Sequence, residues 1–140
     1  GDEYNFPLKG VREIISHLTS SKTKHVYTLI SKSKSKKSFN NSDIVKVILN
    51  KKNQALYFSR TPIPSNQNSD HLVHIGIYGY KVSLLHDYLN LKISPYEQSE
   101  SLEQLRFIWN EIPICCIKVS VNNSISINSP NDLKLAKGVL

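Results

Sequence analysis

Apolar positions along the chain switch repeatedly between the helical period and the strand period. Leu8, Val11, Ile14, Ile15 and Leu18 recur at helical spacing behind Pro7, a residue suited to a first turn, and predict an amphipathic helix over residues 7–19. His25 to Ile30 reads as a short strand. Ile44-Val45-Lys46-Val47-Ile48-Leu49 is rich in β-branched residues, and Ala55-Leu56-Tyr57-Phe58 follows a polar turn at Asn50 to Asn53, so an antiparallel hairpin is expected. Residues 61–71 are a loop by composition. Residues 73–80 predict another strand, and residues 82–91 a helix with Leu84, Leu85, Tyr88 and Leu89 on one face. Pro95 opens an acidic stretch, Leu102, Leu105, Ile108 and Trp109 make a further helix, and residues 114–121 are apolar enough for a buried strand. Ser129-Pro130-Asn131-Asp132 resembles a capping box at the head of a terminal helix. Helices interleave with strands throughout. The pattern predicts the α/β class, a mixed sheet with flanking helices, in one domain over residues 1–140.

Charge changes this picture in one place. The chain carries 18 Lys+Arg against 11 Asp+Glu, a formal charge of +7, and no acidic residue lies between Glu13 and Asp43. Within that interval Ser31-Lys32-Ser33-Lys34-Ser35-Lys36-Lys37-Ser38 interleaves Lys with Ser. Clustered Lys can neutralise phosphates, but this run has no interleaved aromatic or Arg on which bases could stack. It reads as a solvated, Lys/Ser-rich flexible loop over residues 31–42, and a nucleic-acid partner is not expected.

Composition excludes little else. No apolar run approaches the roughly 20 residues of a membrane-spanning helix, and no secretory signal opens the chain. Cys115 and Cys116 are adjacent in an apolar segment and read as buried structural thiols, which suits a reducing compartment. There is no Met, so a chain opening Gly1-Asp2-Glu3 is expected to be processed or a piece of something longer.

Several side-chain sets could carry chemistry. Asp2 and Glu3 could bind a metal or simply be solvated. Alternation in His74-Ile75-Gly76-Ile77-Tyr78-Gly79-Tyr80 puts His74, Gly76, Tyr78 and Tyr80 on one face and Ile75 and Ile77 on the other. Imidazole, phenol and glycine on one face leave room for a polyhydroxylated ligand near the backbone, or form a packed core. Glu100, Glu103 and Gln104 fall at i, i+3 and i+4 of an expected helix, where they could hydrogen-bond sugar hydroxyls or cap that helix. Arg60 could clamp a carboxylate in bidentate fashion or form a surface ion pair. No Gly-rich phosphate loop, zinc spacing or nucleophile elbow is present.

Taken in order, Gly1-Asp2-Glu3, Val45-Lys46-Val47, Ala55-Leu56-Tyr57-Phe58-Ser59-Arg60 with Pro62-Ile63-Pro64, His74-Ile75-Gly76-Ile77-Tyr78-Gly79-Tyr80, Ser94-Pro95, Leu102-Glu103-Gln104-Leu105-Arg106 and Ser129-Pro130-Asn131-Asp132-Leu133 make an ordered set. That set resembles the 3-deoxy-manno-octulosonate cytidylyltransferases, the CMP-Kdo synthetases, over nearly the whole chain, least so at residues 4–42. The resemblance implies a nucleotide-diphospho-sugar transferase-like fold and a cytoplasmic, homodimeric, magnesium-dependent enzyme. That enzyme joins CTP and Kdo into CMP-Kdo and pyrophosphate for lipopolysaccharide assembly. It also implies that Asp2 is a metal ligand, that His74, Tyr78, Glu103 and Gln104 contact Kdo, and that Arg60 lies beside them.

Three departures qualify the resemblance. Tyr4 stands where the family motif has Pro, and Asn128 where it places a second metal-binding Asp, so that metal position is degenerate. The family's N-terminal nucleotide-binding loop has no counterpart in these residues. The chain is therefore expected to be the sugar-binding and dimerising C-terminal part, inactive by itself, with a weakened or absent Mg2+ site. The alternative is a non-catalytic remnant that serves as a binding or dimerisation module.

Overall fold

A computed structural model describes residues 6–65 and 70–120. Its elements run α1 (Leu8–Ser20), β1 (Val26–Ser33), α2 (Lys36–Asn40), β2 (Lys46–Leu49), β3 (Ala55–Ser59), β4 (His71–Gly79), α3 (Val82–Tyr88), α4 (Pro95–Glu100), α5 (Leu105–Trp109) and β5 (Ile114–Lys118). The five strands form one mixed sheet in the order β3-β2-β4-β1-β5. All neighbours are antiparallel except β1 and β5. The terminal helix expected from residue 129 onward lies outside the described residues.

The sheet buries both faces. On one, Val11 and Ile14 of α1 pack against Tyr27, Leu29, Ile75 and Ile77. The helix sits so close to β4 that a Cβ at Gly79 would lie 2.2 Å from Ile14 Cγ2, a distance only glycine avoids. On the other, Leu84, Leu102, Leu105 and Phe107 from α3 to α5 cover Val26, Ile30, Val47, Phe58 and Ile114. The β2–β3 hairpin forms where the β-branched pattern predicts it. Asn50 Oδ1 accepts from the Lys52 and Gln54 amides at 2.8 and 3.0 Å, and Asn53 takes the left-handed conformation that turns the chain. The hairpin end then reaches the opposite sheet edge, where the Cys116 amide donates to Asn53 O at 2.9 Å. Twist thus brings the two edge strands together and protects part of their open hydrogen bonds.

Three expectations are corrected. The Lys/Ser run is not loop throughout: β1 continues to Ser33 because Ser31, Lys32 and Ser33 pair with Val73, Leu72 and His71. Ser35 then caps α2, whose Phe39 is buried against the His71 ring. Composition registers the solvated Lys heads and misses this backbone pairing. The apolar face expected of α3 is only partly used, since Leu84 is buried while Leu85 and Leu89 are exposed. The helix expected through Leu102 and Trp109 is shorter, with Leu102 buried in the turn ahead of α5 and Trp109 exposed.

The α3–α5 layer is held by one ion pair. Ser94 caps α4, and Glu97 completes a capping box by accepting from the Ser94 amide at 2.9 Å. The same carboxylate takes Arg106 Nη2 at 2.7 Å and Nε at 2.9 Å, and the guanidinium lies over the Tyr88 ring. Those hydrogen bonds, Arg106 first, hold the Glu97 carboxyl below the usual carboxylate range. A carboxyl depressed in the folded state adds stability above its unfolded pKa of about 4.3 and loses it as pH falls through the folded value. Glu97→Gln is expected to cost about 3 kcal/mol at neutral pH. It should also reduce the loss of stability on acidification below about pH 4. Urea unfolding of both forms across that range checks this; identical pH slopes contradict it.

Candidate functional site

The site begins with an irregularity in β4. Tyr78 pairs with Thr28 and Ile75 with Leu29, so Gly76 and Ile77 bulge out between successive pairs. Two inserted residues preserve the alternation of faces. His74 and Tyr78 therefore share the α3–α5 side while Ile75 and Ile77 face α1, as the sequence pattern predicts. The bulge turns two carbonyls toward Thr28, whose Oγ1 lies 2.7 Å from Ile77 O and 3.3 Å from Ile75 O. His74 Nε2 is 2.8 Å from the same oxygen. A hydroxyl has one proton, and the carbonyls can only accept, so His74 Nε2–H is the donor to Thr28.

Arg60 follows directly from the end of β3. Its guanidinium donates from Nε to Glu100 O at 3.2 Å, from Nη1 to Ser42 O at 3.1 Å and from Nη2 to Ser101 O at 3.3 Å. None of these acceptors is charged, and no carboxylate among the described residues pairs with Arg60. Of the five N–H bonds of a guanidinium, one remains on each terminal nitrogen. A guanidinium with N–H bonds to spare can take a carboxylate as a further partner.

These features meet in an open cleft of about 900 Å³ between the end of β4, α3 and the α4–α5 turn. Arg60, Tyr78, Glu103 and Gln104 all line it. Gln104 is largely buried, and its side-chain amide reaches the cleft surface without a hydrogen bond to the described residues. Neither the Tyr78 hydroxyl nor the Glu103 carboxylate has a hydrogen-bonding partner among them. Burial chiefly, then Cys116 and Glu103, push the Tyr78 phenol well above its ordinary value, so it is a neutral O–H at neutral pH. A charged fork, a phenol, an amide and a carboxylate together offer donors and acceptors for an anionic polyol.

Other expected residues fall elsewhere. His74 is 7% exposed and packs between Phe58 and Tyr78, behind the cleft wall. Glu100 does not share a helical face with Glu103 and Gln104, because Ser101 is left-handed and ends α4. Its carboxylate instead accepts from Tyr57 at 2.8 Å; burial, then that bond, push the Tyr57 phenol up to about 12. Burial likewise pushes the Cys116 thiol up to about 12, in keeping with a structural thiol. Asp2 and Asn128 lie outside the described residues, and among the described residues no three His, Cys, Asp or Glu side chains converge on a metal-sized site. The role of Lys46, buried in β2 beside Arg60, escapes the sequence reading. In the sequence it is a lone cation inside a β-branched run, standing within Val45-Lys46-Val47 but given no role.

The mixed five-stranded sheet with flanking helices, and its likeness to a solved neighbour given below, make this chain a nucleotide-diphospho-sugar transferase-like domain. Residues 6–118 match the family described as cytidylyltransferase, and the chain belongs to that family. It is similar to the 3-deoxy-manno-octulosonate cytidylyltransferase of Polynucleobacter necessarius subsp. necessarius (strain STIR1), 34% identical over 146 residues, covering 100% of this chain and 58% of that protein. The enzyme of the same name from Thermodesulfovibrio yellowstonii is 36% identical over 149 residues, with the same coverage. A solved CMP:2-keto-3-deoxy-manno-octonic acid synthetase complexed with CTP superposes with a TM-score of 0.77 at 32% identity, covering 94% of this chain and 55% of that one. The chain thus spans a little over half the length of these relatives.

The Thr28 argument is open to direct test. Thr28→Val removes the proton that serves Ile75 and Ile77 and the acceptor for His74, and is expected to cost about 2 kcal/mol. Thr28→Ser should restore most of it. Nitrogen-15 spectra of neutral His74 should show the proton on Nε2; a proton on Nδ1 contradicts the assignment.

Proposed function

We propose that this chain supplies the acid-sugar side of a CMP-Kdo synthetase, which joins CTP and Kdo and releases pyrophosphate on the way to lipopolysaccharide. The observation that carries this reading is the set of open polar groups around the cleft, led by the two N–H bonds of Arg60 that no carboxylate occupies. Kdo brings a carboxylate for Arg60 and hydroxyls for Tyr78, Glu103 and Gln104. Held this way, the sugar would present its anomeric hydroxyl to the α-phosphate of CTP, and orientation would lower the barrier. His74 would act from behind Tyr78 by fixing that ring. Magnesium at Asp2 and the degenerate Asn128, and a cytoplasmic setting, belong to this reading through the resemblance alone. In the protein carrying this chain, Arg60→Ala is expected to raise KM for Kdo about a hundredfold, since it removes a charge-assisted pair. KM for CTP should change little. An equal rise for both substrates counts against the assignment. The 140 residues assayed alone should release no pyrophosphate from CTP and Kdo, because their sequence carries no Gly-rich phosphate-binding loop.

The reading includes a homodimer, whether the chain works as an enzyme or as a dimerisation module. Val82, Leu85, Leu89 and Ile93 leave an apolar stripe exposed along and beyond α3, with Leu89 80% exposed. Apolar surface of this kind is commonly covered by a partner, and a second copy would bury roughly 1,200–2,000 Å² in total. Light scattering should find a dimer that Leu89→Glu weakens; a monomer at high micromolar concentration contradicts this.

A further inference from the structure

Lys46 is fully buried, and its Nζ donates to Asn41 O at 2.9 Å, Ile44 O at 2.6 Å and Arg60 O at 2.6 Å. A neutral amine has two N–H bonds and an ammonium three, so three accepting carbonyls require the charged form. No carboxylate among the described residues pairs with it. Arg60 in turn grips Ser42 O, in the very loop that Lys46 grips at Asn41 and Ile44. Each cation therefore restrains the other's support. The main chain of Arg60 is tied to Lys46, and its side chain is tied to the loop that Lys46 holds. Burial and then the neighbouring Arg60 lower the pKa of Lys46, as expected of two like charges held close together.

We infer that Lys46 is a positioning residue for the sugar carboxylate: it holds Arg60 so that its two open N–H bonds face the cleft, and it sets a second uncompensated positive charge behind them. This rests on the acid-sugar reading above. The carbonyls that hold both cations lower the cost of burial without cancelling their charge, so the ligand's carboxylate is the counter-ion of the pair. A neutral sugar would gain the hydrogen bonds and forgo that attraction.

Two variants of the protein carrying this chain test the inference: Lys46→Met, which removes charge and donors, and Lys46→Gln, which removes the charge and keeps two donors. Titration calorimetry with Kdo should show affinity falling about tenfold or more in each. Affinity for CTP should hold within about twofold, as for an independent site. In an Arg60→Ala background, Lys46→Met should cost clearly less than in the unaltered protein, because its positioning role is already lost and only its own charge remains to remove. The nitrogen-15 resonance of the Arg60 Nε–H, which donates to Glu100 O, should move in both single variants. Unchanged Kdo affinity, a full additional loss without Arg60, or an unmoved Arg60 resonance overturns the inference. Failure of both variants to fold also overturns it, since Lys46 would then serve the fold at large. If the unaltered protein binds no Kdo, the acid-sugar reading fails by itself, and the Arg60 resonance still decides whether Lys46 positions Arg60.

Discussion

Two cations held by carbonyl oxygens organise one wall of this molecule. Lys46 and Arg60 together engage Asn41, Ser42, Ile44, Glu100 and Ser101, and Lys46 also holds Arg60 itself. These acceptors come from the approach to β2, the end of β3 and the α4–α5 turn, which are distant in sequence. A carboxylate at the same place would bind as firmly but would cancel the charge. Carbonyl dipoles satisfy the donors and leave the field standing, which separates the task of holding the fold from that of attracting an anion.

The opposite wall depends on Glu97. Its carboxylate closes the α4 capping box and takes Arg106, whose guanidinium covers Tyr88. Glu103 and Gln104 lie between those two charges in sequence, in the turn that joins α4 to α5. Short helices of five and six residues are not stable by propensity. The ion pair and the burial of Leu102 and Leu105 keep the turn in place, and the cleft residues inherit that rigidity.

How much of this was legible depended on how local each cause was. The hairpin, α1 and the two faces of β4 follow from apolar periodicity, because burial there repeats with the element's own period. Ser94 and Glu97 sit at capping-box spacing, a local signal sufficient to locate the start of α4. The face shared by Glu100, Glu103 and Gln104 failed because one helix period was carried through Ser101, which leaves it at a φ of 57°. The α3 stripe failed differently: periodicity shows that Leu85 and Leu89 are apolar, not that this chain supplies their cover. Arg60, Tyr78, Glu103 and Gln104 reached one cleft through the resemblance, since β3, β4 and the α4–α5 turn meet only in the folded sheet. The role of Lys46 is not legible for the same reason, its three acceptors being brought together by the fold.

The cleft differs from everything behind it in one physical respect. Behind it, polar groups are used up: Thr28 serves two carbonyls and a histidine with one hydroxyl, and Lys46 spends all three of its protons. Facing it, two N–H bonds of Arg60, the Gln104 amide, the Tyr78 phenol and the Glu103 carboxylate have no partner among the described residues. No buried side-chain polar atom among the described residues lacks a partner, so these groups reach solvent, and a ligand binds by replacing their water with hydrogen bonds of its own. Because the groups behind are saturated, they cannot rotate to satisfy those in front. On the proposed acid-sugar reading, that arrangement favours a ligand carrying both a carboxylate and hydroxyls over one carrying either alone.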